Sequence, residues 1–246
     1  MNELNPQIKT TLLKQWGKRI SFDEVERKIY ARDMGVMTSM VKPLVGSPVP
    51  GGIVQPISEA ELTELVRFAN AENIKLTPRG KATSGYGGVL PIKGGLVVEF
   101  NRLNKIIEIN PAERWARIEA GVVWNELEYH LNQKGLTLAL YPTSAPSSTV
   151  GGWLAQGGAG IGSFEFGYFI DNVLSARVVQ PDGQVREFKG RELELISEAN
   201  GITGLISQIV IRVKPLKPMH NAAIAFETPE NMAAFIEGLY HRKVML

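Results

Sequence analysis

Seven glycines among the 20 residues of 151–170 restrict what this chain can fold into more than any other feature of its sequence. The stretch is otherwise largely apolar, and a helix that crosses a bilayer needs about 20 mostly apolar residues. Glycine destabilises a helix interior, and Gln156 and Glu165 add polar side chains, which argues against a membrane span. The segment therefore predicts loops and close backbone contacts within a folded domain.

The composition excludes several classes of protein. The chain has 246 residues, 44% hydrophobic and 21% charged, which predicts one large or two small globular domains and not a disordered chain. A net charge of +2 with interspersed signs disfavours nucleic-acid binding. The absence of cysteine excludes disulfides, thiol nucleophiles and cysteine-bound metals, and the scattered histidines (His130, His220 and His241) predict no metal site.

The N-terminal 20 residues do not resemble a signal peptide. They contain Pro6 and four basic side chains and have no long apolar core. We therefore expect a cytoplasmic protein without a transmembrane segment, which could reach a membrane surface through a partner.

Hydrophobic periodicity predicts an α+β fold. Two helices are expected before residue 30, the second opened by a capping box at 21–24, and a βαβ unit over 53–77 contains a second capping box at 58–61. The later elements mix without the strict alternation of a doubly wound sheet. They are strands over 96–100, 105–110, 115–120, 136–140, 173–179, 185–188 and 206–213, with a helix over 123–134 and a hairpin turn at 181–183.

The pattern begins again after residue 218. It predicts a strand over 222–226 and a helix with Thr228 as N-cap and Pro229 at the first helical position, running to about Tyr240. One strand and one helix cannot bury a core alone, so this segment is expected to be the start of a further domain.

The loop 78–88 has the composition of an anion-binding cradle. Its glycines allow consecutive backbone N–H groups to converge on one anion, and Thr83 and Ser84 can add donors. Gly80 and Gly85 have Walker A spacing, but the required Lys and Ser or Thr do not follow, and no G-x-G-x-x-G fingerprint occurs in the chain. From these residues alone, an anion cradle and a structural glycine-rich loop remain equally acceptable.

Two further segments are rich in glycine and hydroxyl groups. Within 142–162, hydroxyl side chains precede paired glycines, which suits a polar ligand and lets a flat group approach the backbone. A simple linker is disfavoured there, because Val150, Trp153 and Leu154 favour burial. The segment 200–207 by itself is typical of a turn.

Taken together and in order, these motifs resemble the FAD-binding domain of the vanillyl-alcohol-oxidase, or PCMH-type, flavoproteins, and most of all the glycolate and D-lactate dehydrogenase FAD subunits. The resemblance covers about residues 20–215, and several motifs in order are more specific than any one alone. It implies an N-terminal region over 1–50, an FAD-binding domain over 51–216 with subdomains at about 51–100 and 101–216, and the start of a cap domain over 219–246. The motifs are P-R-G-x-x-T-S at 78–84, E-x-G-V at 119–122, P-x-S and S-T-V-G-G within 142–152, G-x-x-x-D-N-V and P-D-G within 167–183, and G-I-T-G-L-I-S at 201–207.

The resemblance also implies which residues hold the cofactor. The loop 78–84, with Arg79, would face the FAD pyrophosphate, 143–152 would hold the ribityl and pyrophosphate region from the other side, and 200–206 would wrap the adenine and ribose. The implied residues are Pro78, Arg79, Gly80, Lys81, Ala82, Thr83, Ser84, Thr143, Ser144, Ser148, Thr149, Gly151, Gly152, Gln156, Gly157, Gly158, Ala159, Asn200, Gly201, Gly204 and Ile206.

The resemblance names no catalytic residue and no metal ligand, because in such proteins these groups come mainly from the cap domain and the region after it. Covalent attachment of flavin uses histidine or cysteine, whereas this loop has Lys81 and Ala82, so non-covalent FAD is expected. Tyr86, Phe166 and Tyr168 are candidates for the edge of the flavin.

The implied function is the oxidation of a 2-hydroxy acid such as glycolate or D-lactate by hydride transfer to FAD, with an electron acceptor or partner subunit. The alternative is an FAD-binding electron-transfer subunit of a larger complex with no turnover of its own. Binding of a phosphate ligand without flavin remains open only if each loop is considered separately.

Overall fold

The structure is a computed structural model that describes residues 4–35, 38, 40, 43, 46–218 and 222–242. The helices are α1 (Pro6–Trp16), α2 (Glu24–Ile29), α3 (Glu59–Ala71), α4 (Trp124–Asn132), α5 (Val150–Gln156), α6 (Ser163–Phe166) and α7 (Pro229–His241), with 3₁₀ turns at Gly17–Arg19, Phe100–Arg102, Phe169–Asn172 and Gly190–Leu195. The strands are β1 (Ile20–Ser21), β2 (Gly52–Val54), β3 (Leu76–Arg79), β4 (Leu96–Glu99), β5 (Ile106–Asn110), β6 (Trp115–Glu119), β7 (Leu136–Leu138), β8 (Val173–Val179), β9 (Val185–Lys189) and β10 (Leu205–Pro215). This mixture of helices and sheets confirms the predicted α+β class.

The smaller sheet has the strand order β1-β2-β4-β3. Strands β2 and β3 both run parallel to β4, whereas β1 is antiparallel to β2. The predicted βαβ unit is present as β2, α3 and β3, but β4 lies between its two strands. Helix α3 begins where Ser58 Oγ accepts the Glu61 N–H at 3.2 Å, and its apolar face is buried in the core.

The larger sheet has the order β5-β6-β10-β8-β9, and β7 pairs with the C-terminal part of β10. Its strand pairs are antiparallel. The predicted hairpin joins β8 to β9, with Gly183 at a φ of +76° and Asp182 accepting the Gln184 N–H at 2.8 Å. The turn that precedes the central strand β10, residues 200–204, lies beside β3 of the smaller sheet.

Helix α3 links the two sheets through polar contacts. Glu59 pairs with Arg177 of β8 at 2.6 and 2.9 Å and accepts the hydroxyl hydrogen of the fully buried Ser207 of β10 at 2.6 Å. At the other end of the helix, Asn70 donates to the carbonyl of Pro181 in the β8–β9 turn. These contacts hold α3, and with it the smaller sheet, against the larger one.

Four sequence predictions are wrong in detail. The segment 151–170, expected to form loops, contains most of α5, all of α6 and the start of a 3₁₀ turn. The N-cap of α2 is Asp23, which accepts the Glu26 N–H at 2.8 Å; Ser21 cannot fill that place because it is held in β1 opposite Ile53. Glu61 does not complete the second capping box, since its carboxylate accepts the Ile57 N–H at 3.0 Å and pairs with Arg19. Residues 222–226 form no strand, because no described strand lies beside them to supply hydrogen bonds.

The C-terminal helix α7 forms where predicted, with Thr228 accepting the Asn231 N–H at 3.2 Å. It buries no side chain, and Met232, Phe235, Ile236 and Tyr240 are exposed. Residue His220 lies outside the described residues. Among the described residues, no helix is both long enough and apolar enough to cross a membrane.

Candidate functional site

A cleft lies between the two sheets and brings together the three glycine-rich segments of the sequence. One wall is the loop that follows β3, and the other consists of Ala120 after β6, the first part of α5 and the turn before β10. The lining residues are Pro78, Arg79, Gly80, Ser84, Gly88, Val89, Phe100, Ala120, Thr149, Gly151, Gly152, Ala155, Gln156, Asn200, Gly201, Gly204 and Ile206.

The cleft continues into a polar recess at the side of α5. Gly80, Thr149 and Gly152 line both spaces, so the recess lies directly beside the cleft. Hydroxyl groups and one lysine dominate the recess, and its further lining residues are Lys81, Ala82, Thr83, Ser144, Ser148 and Trp153. This donor set is suited to the oxygen atoms of an anionic or polyhydroxylated ligand.

The loop after β3 presents consecutive backbone donors. Within the part of the chain that the structure describes, the N–H groups of residues 81–84 have no intramolecular acceptor. Ala82 has a φ of +52°, a left-handed conformation that is unusual for a residue with a side chain. Successive N–H groups around such a residue form a concave nest for anions, so the geometry supports the cradle over a purely structural loop.

Close backbone contacts explain why glycine occupies the walls. A Cβ at Gly80 would lie 2.4 Å from Thr149 Oγ1, and a Cβ at Gly151 would lie 2.7 Å from the Ala120 carbonyl oxygen. Thr149 also caps α5 by accepting the Gly152 N–H at 3.2 Å. The two walls therefore meet at Thr149, and a side chain at position 80 would fill the space between them.

The turn before β10 closes the cleft at its other end. Glu198 and Asn200 have left-handed φ values of +60° and +48°. A Cβ at Gly201 would lie 2.5 Å from Pro78 Cγ, so the turn contacts the start of the opposite loop. Left-handed residues other than glycine store strain that packing must offset, and such strain is concentrated at functional sites.

Arg79 borders the cleft, but its guanidinium makes its contacts elsewhere. Nη1 donates to the carbonyl oxygens of Arg32 at 2.9 Å and Tyr30 at 3.4 Å, and the guanidinium carbon lies 4.9 Å from the centre of the Tyr30 ring. Burial lowers the pKa of Arg79, partly offset by the nearby Tyr30 and Glu99. Direct contact of Arg79 with an anion stays a prediction.

Most of the residues named from the sequence line the cleft or its recess, but four do not: Thr143, Gly157, Gly158 and Ala159. Gly157 instead packs on Glu198, since a Cβ at this glycine would lie 2.1 Å from Glu198 Cγ. The candidates for the flavin edge, Tyr86, Phe166 and Tyr168, are also absent from the lining.

Six residues that line the cleft or its recess were not among the predicted binding residues: Gly88, Val89, Phe100, Ala120, Trp153 and Ala155. Two of them could have been predicted from the sequence, because Gly88 ends the 78–88 cradle and Ala120 lies within the E-x-G-V motif. Phe100 lies beyond β4, and only the parallel pairing of β3 with β4 brings it beside the cradle. Among the described residues, the lining contains Arg79 and Lys81 but no carboxylate or imidazole, and no cluster suited to a metal ion.

Comparison with known proteins agrees with this geometry. Residues 50–189 match the FAD binding domain family. The chain is 27% identical over 236 residues to the mitochondrial D-lactate dehydrogenase (cytochrome) of Arabidopsis thaliana, covering 92% of this chain and 39% of that protein. It is 25% identical over 200 residues to glycolate oxidase subunit GlcD of Bacillus subtilis, covering 78% and 41%.

A solved structure of alkyldihydroxyacetonephosphate synthase shares the fold, with a TM-score of 0.85 at 24% identity over 99% of this chain and 51% of that one. These matches confirm two predictions from the sequence: the resemblance to PCMH-type flavoproteins and the α+β fold of that family. The chain spans about two fifths of the length of these two curated relatives.

Proposed function

Because the chain belongs to the FAD binding domain family of PCMH-type flavoproteins, whose cofactor is FAD, we propose that the cleft between its two sheets holds FAD without a covalent bond. The observation that carries this proposal is the set of backbone N–H groups at 81–84 without an acceptor among the described residues, beside hydroxyl side chains in the same recess. Neutral and cationic donors of this kind suit a pyrophosphate.

Each wall has a separate part in binding. The N–H groups of 81–84, the hydroxyls of Ser84 and Thr149 and the Lys81 ammonium would hold the phosphate oxygens. Gly151 and Gly152 would let the ligand approach the α5 backbone, and Asn200 and Ile206 would contact the nucleoside end. The four predicted residues outside the lining, 143 and 157–159, would support these segments without contacting the ligand.

The proposed activity is that of a flavin-linked oxidoreductase acting on a 2-hydroxy acid. FAD, when bound, supplies the hydride acceptor for such an oxidation. The substrate class is supported by the relatives whose names are D-lactate dehydrogenase and glycolate oxidase subunit. A relative from Dictyostelium discoideum named alkyldihydroxyacetonephosphate synthase, 30% identical over 174 residues, supports the activity in that name as the competing choice.

This chain's share of the reaction would be binding and positioning. No carboxylate or imidazole lines the cleft among the described residues, so a group that takes the substrate proton would come from a further polypeptide region. The greater length of the relatives is consistent with that division. The same observation favours a second candidate, an FAD-binding electron-transfer subunit that relies on a partner for turnover.

The visible absorption spectrum of the purified chain tests FAD binding directly. Flavin bands at near full occupancy, with the flavin released into solution by acid precipitation, would support a non-covalent site. A colourless protein that also fails to bind added FAD would refute the proposal, and flavin that stays with the precipitate would refute only its non-covalent part.

Anaerobic addition of substrate can support the first candidate over the second. Bleaching of the flavin band by D-lactate or glycolate supports the oxidoreductase and would show that this chain needs no group from a further region. A flavin that is reduced by dithionite but by neither acid agrees with the absent proton acceptor as well as with the electron-transfer subunit, so it favours neither candidate. Lys81→Ala, which removes a cation of the recess, should weaken FAD binding. Lys189→Ala is its control, because Lys189 is exposed on β9 and lines neither the cleft nor the recess.

A further inference from the structure

The segment Tyr30 to Gly35 contacts the outer side of the cradle loop and has no counterpart in the motifs of the sequence. We infer that this segment, the brace, holds the loop 79–87 in its anion-binding conformation and thereby sets the affinity for FAD. The inference rests on the proposed function, since it takes the loop to be the FAD-binding element. The family match begins at residue 50, so the brace lies outside it.

Hydrogen bonds join the brace to both ends of the loop. At the start of the loop, Arg79 Nη1 donates to the carbonyls of Arg32 at 2.9 Å and Tyr30 at 3.4 Å. Further along, the Met34 N–H donates to the Ser84 carbonyl at 3.1 Å. These bonds use the outer side of the loop, and within the described chain they leave the N–H groups of 81–84 open to a ligand.

Asp33 makes the contact at the far end of the loop. Its two carboxylate oxygens accept the N–H groups of Gly35 and Gly87, each at 2.8 Å. One side chain therefore fixes the turn of the brace and the end of the loop together. Hydrogen bonds in which one partner is charged are stronger than neutral ones, so this bridge is a strong link between the brace and the far end of the loop.

The brace and the loop also pack backbone against backbone. A Cβ at Gly35 would lie 2.4 Å from the Gly85 carbonyl oxygen, so glycine is required where the two segments cross. Tyr30 anchors the brace to the smaller sheet, because its ring lies 4.9 Å from the Arg79 guanidinium and its hydroxyl donates to the buried Glu99. Glu99 is opposite Arg79 in the pairing of β3 with β4, so the anchor and the loop share one framework.

Asp33→Ala tests the brace, and Asp23→Ala is the matched control. Asp23 caps the first turn of α2, the helix that immediately precedes the brace, and makes its capping hydrogen bond within that helix, so its loss lowers stability without removing a contact between the brace and the loop. Asp33→Asn keeps one acceptor oxygen and should fall between wild type and Asp33→Ala. Two measurements are made on the 246-residue chain: the dissociation constant for FAD, by flavin fluorescence titration of cofactor-free protein, and amide hydrogen exchange of residues 34 and 80–87.

We expect Asp33→Ala to raise the dissociation constant for FAD at least tenfold and to speed amide exchange at Gly87. Asp23→Ala should lose a similar amount of thermal stability, but its dissociation constant and its exchange rate at Gly87 should stay within twofold of wild type. Equal changes in the two variants would overturn the inference, as would faster exchange in Asp33→Ala with unchanged FAD affinity. If the wild-type chain binds no FAD, the proposed function fails, but the exchange data still test whether the brace holds the loop. Equal exchange rates in the two variants would refute that role of the brace.

Discussion

Replacing Gly80 by alanine would place a methyl group between the two walls of the FAD cleft. Its Cβ would lie 2.4 Å from Thr149 Oγ1, whereas contacts shorter than 3.0 Å are hardly seen, so one wall has to move by at least about 0.6 Å. The backbone does not oppose the change, because the φ of Gly80 lies outside the left-handed region. The effect is therefore steric.

The expected cost follows from overpacking, which destabilises a folded protein by about 1–3 kcal/mol. For a chain of this length each kcal/mol lowers the melting temperature by about 2–4 °C. We expect Gly80→Ala to lose that stability without cofactor and to bind FAD at least tenfold more weakly, about 1.4 kcal/mol. Thermal unfolding and fluorescence titration measure the two effects separately.

Two further variants test the steric explanation. The methyl group meets only the hydroxyl at less than 3.5 Å, so adding Thr149→Ala should relieve the clash and make the double variant more stable than the sum of the single costs predicts. Gly238→Ala, on exposed α7 with no atom within 4 Å, should gain up to about 1 kcal/mol. Unchanged stability and FAD affinity in Gly80→Ala, or strictly additive effects with Thr149→Ala, would refute the reasoning.

The remaining expectations concern electrostatics and the C-terminal helix. Glu59→Gln weakens the pair with half-exposed Arg177 and should cost about 1–2 kcal/mol in urea unfolding at pH 7. Hydrogen bonding to Arg177 lowers the pKa of Glu59 in the folded protein. The stabilisation by this pair is therefore fully present above pH 4.5, the pKa of an unperturbed glutamate, and is lost as the pH falls through the lower pKa of the folded state. A stability difference between wild type and Glu59→Gln that does not change with pH would contradict this. Burial raises the pKa of Glu119, because the folded state disfavours its charged form. Glu119→Gln should therefore be more stable than wild type at pH 7 and lose that advantage below about pH 4.5. Equal stability of the two proteins at pH 7 would contradict this prediction. Limited chymotryptic cleavage after Leu216, an exposed residue just beyond β10, should release α7 and leave FAD bound in gel filtration, because α7 buries no side chain. Loss of FAD with the tail would show that the tail belongs to the site.

The brace and α7 both lie outside the residues that match the FAD binding domain family. The brace contacts the loop from outside, whereas α7 exposes Met232, Ile236 and Tyr240. Burial of each of these side chains would contribute about 1.5–3 kcal/mol, so we expect further polypeptide, in the same chain or a partner, to cover them.

Local chemistry determined which features could be predicted well from the sequence. Ser58, Thr228 and the turn at 181–183 act through hydrogen bonds to residues two or three positions away, so their roles can be recognised without a fold. The composition of the cradle allowed an anion site and a structural glycine-rich loop equally, because composition does not show whether the backbone N–H groups of the segment are open. The order of several such motifs identified the family, and with it FAD.

Tertiary structure decided whatever depends on a partner distant in sequence. Ser21 lost its capping role because β2 holds it in a strand, and residues 222–226 form no strand because a strand requires a neighbour. The guanidinium of Arg79 lies against Arg32 and Tyr30, 47 and 49 positions earlier, where periodicity and motif spacing carry no information. The cleft itself exists only because α3 and the turn before β10 bring the two sheets together. The free energy of those contacts depends on packing between residues distant in sequence, which cannot be predicted from a local sequence pattern.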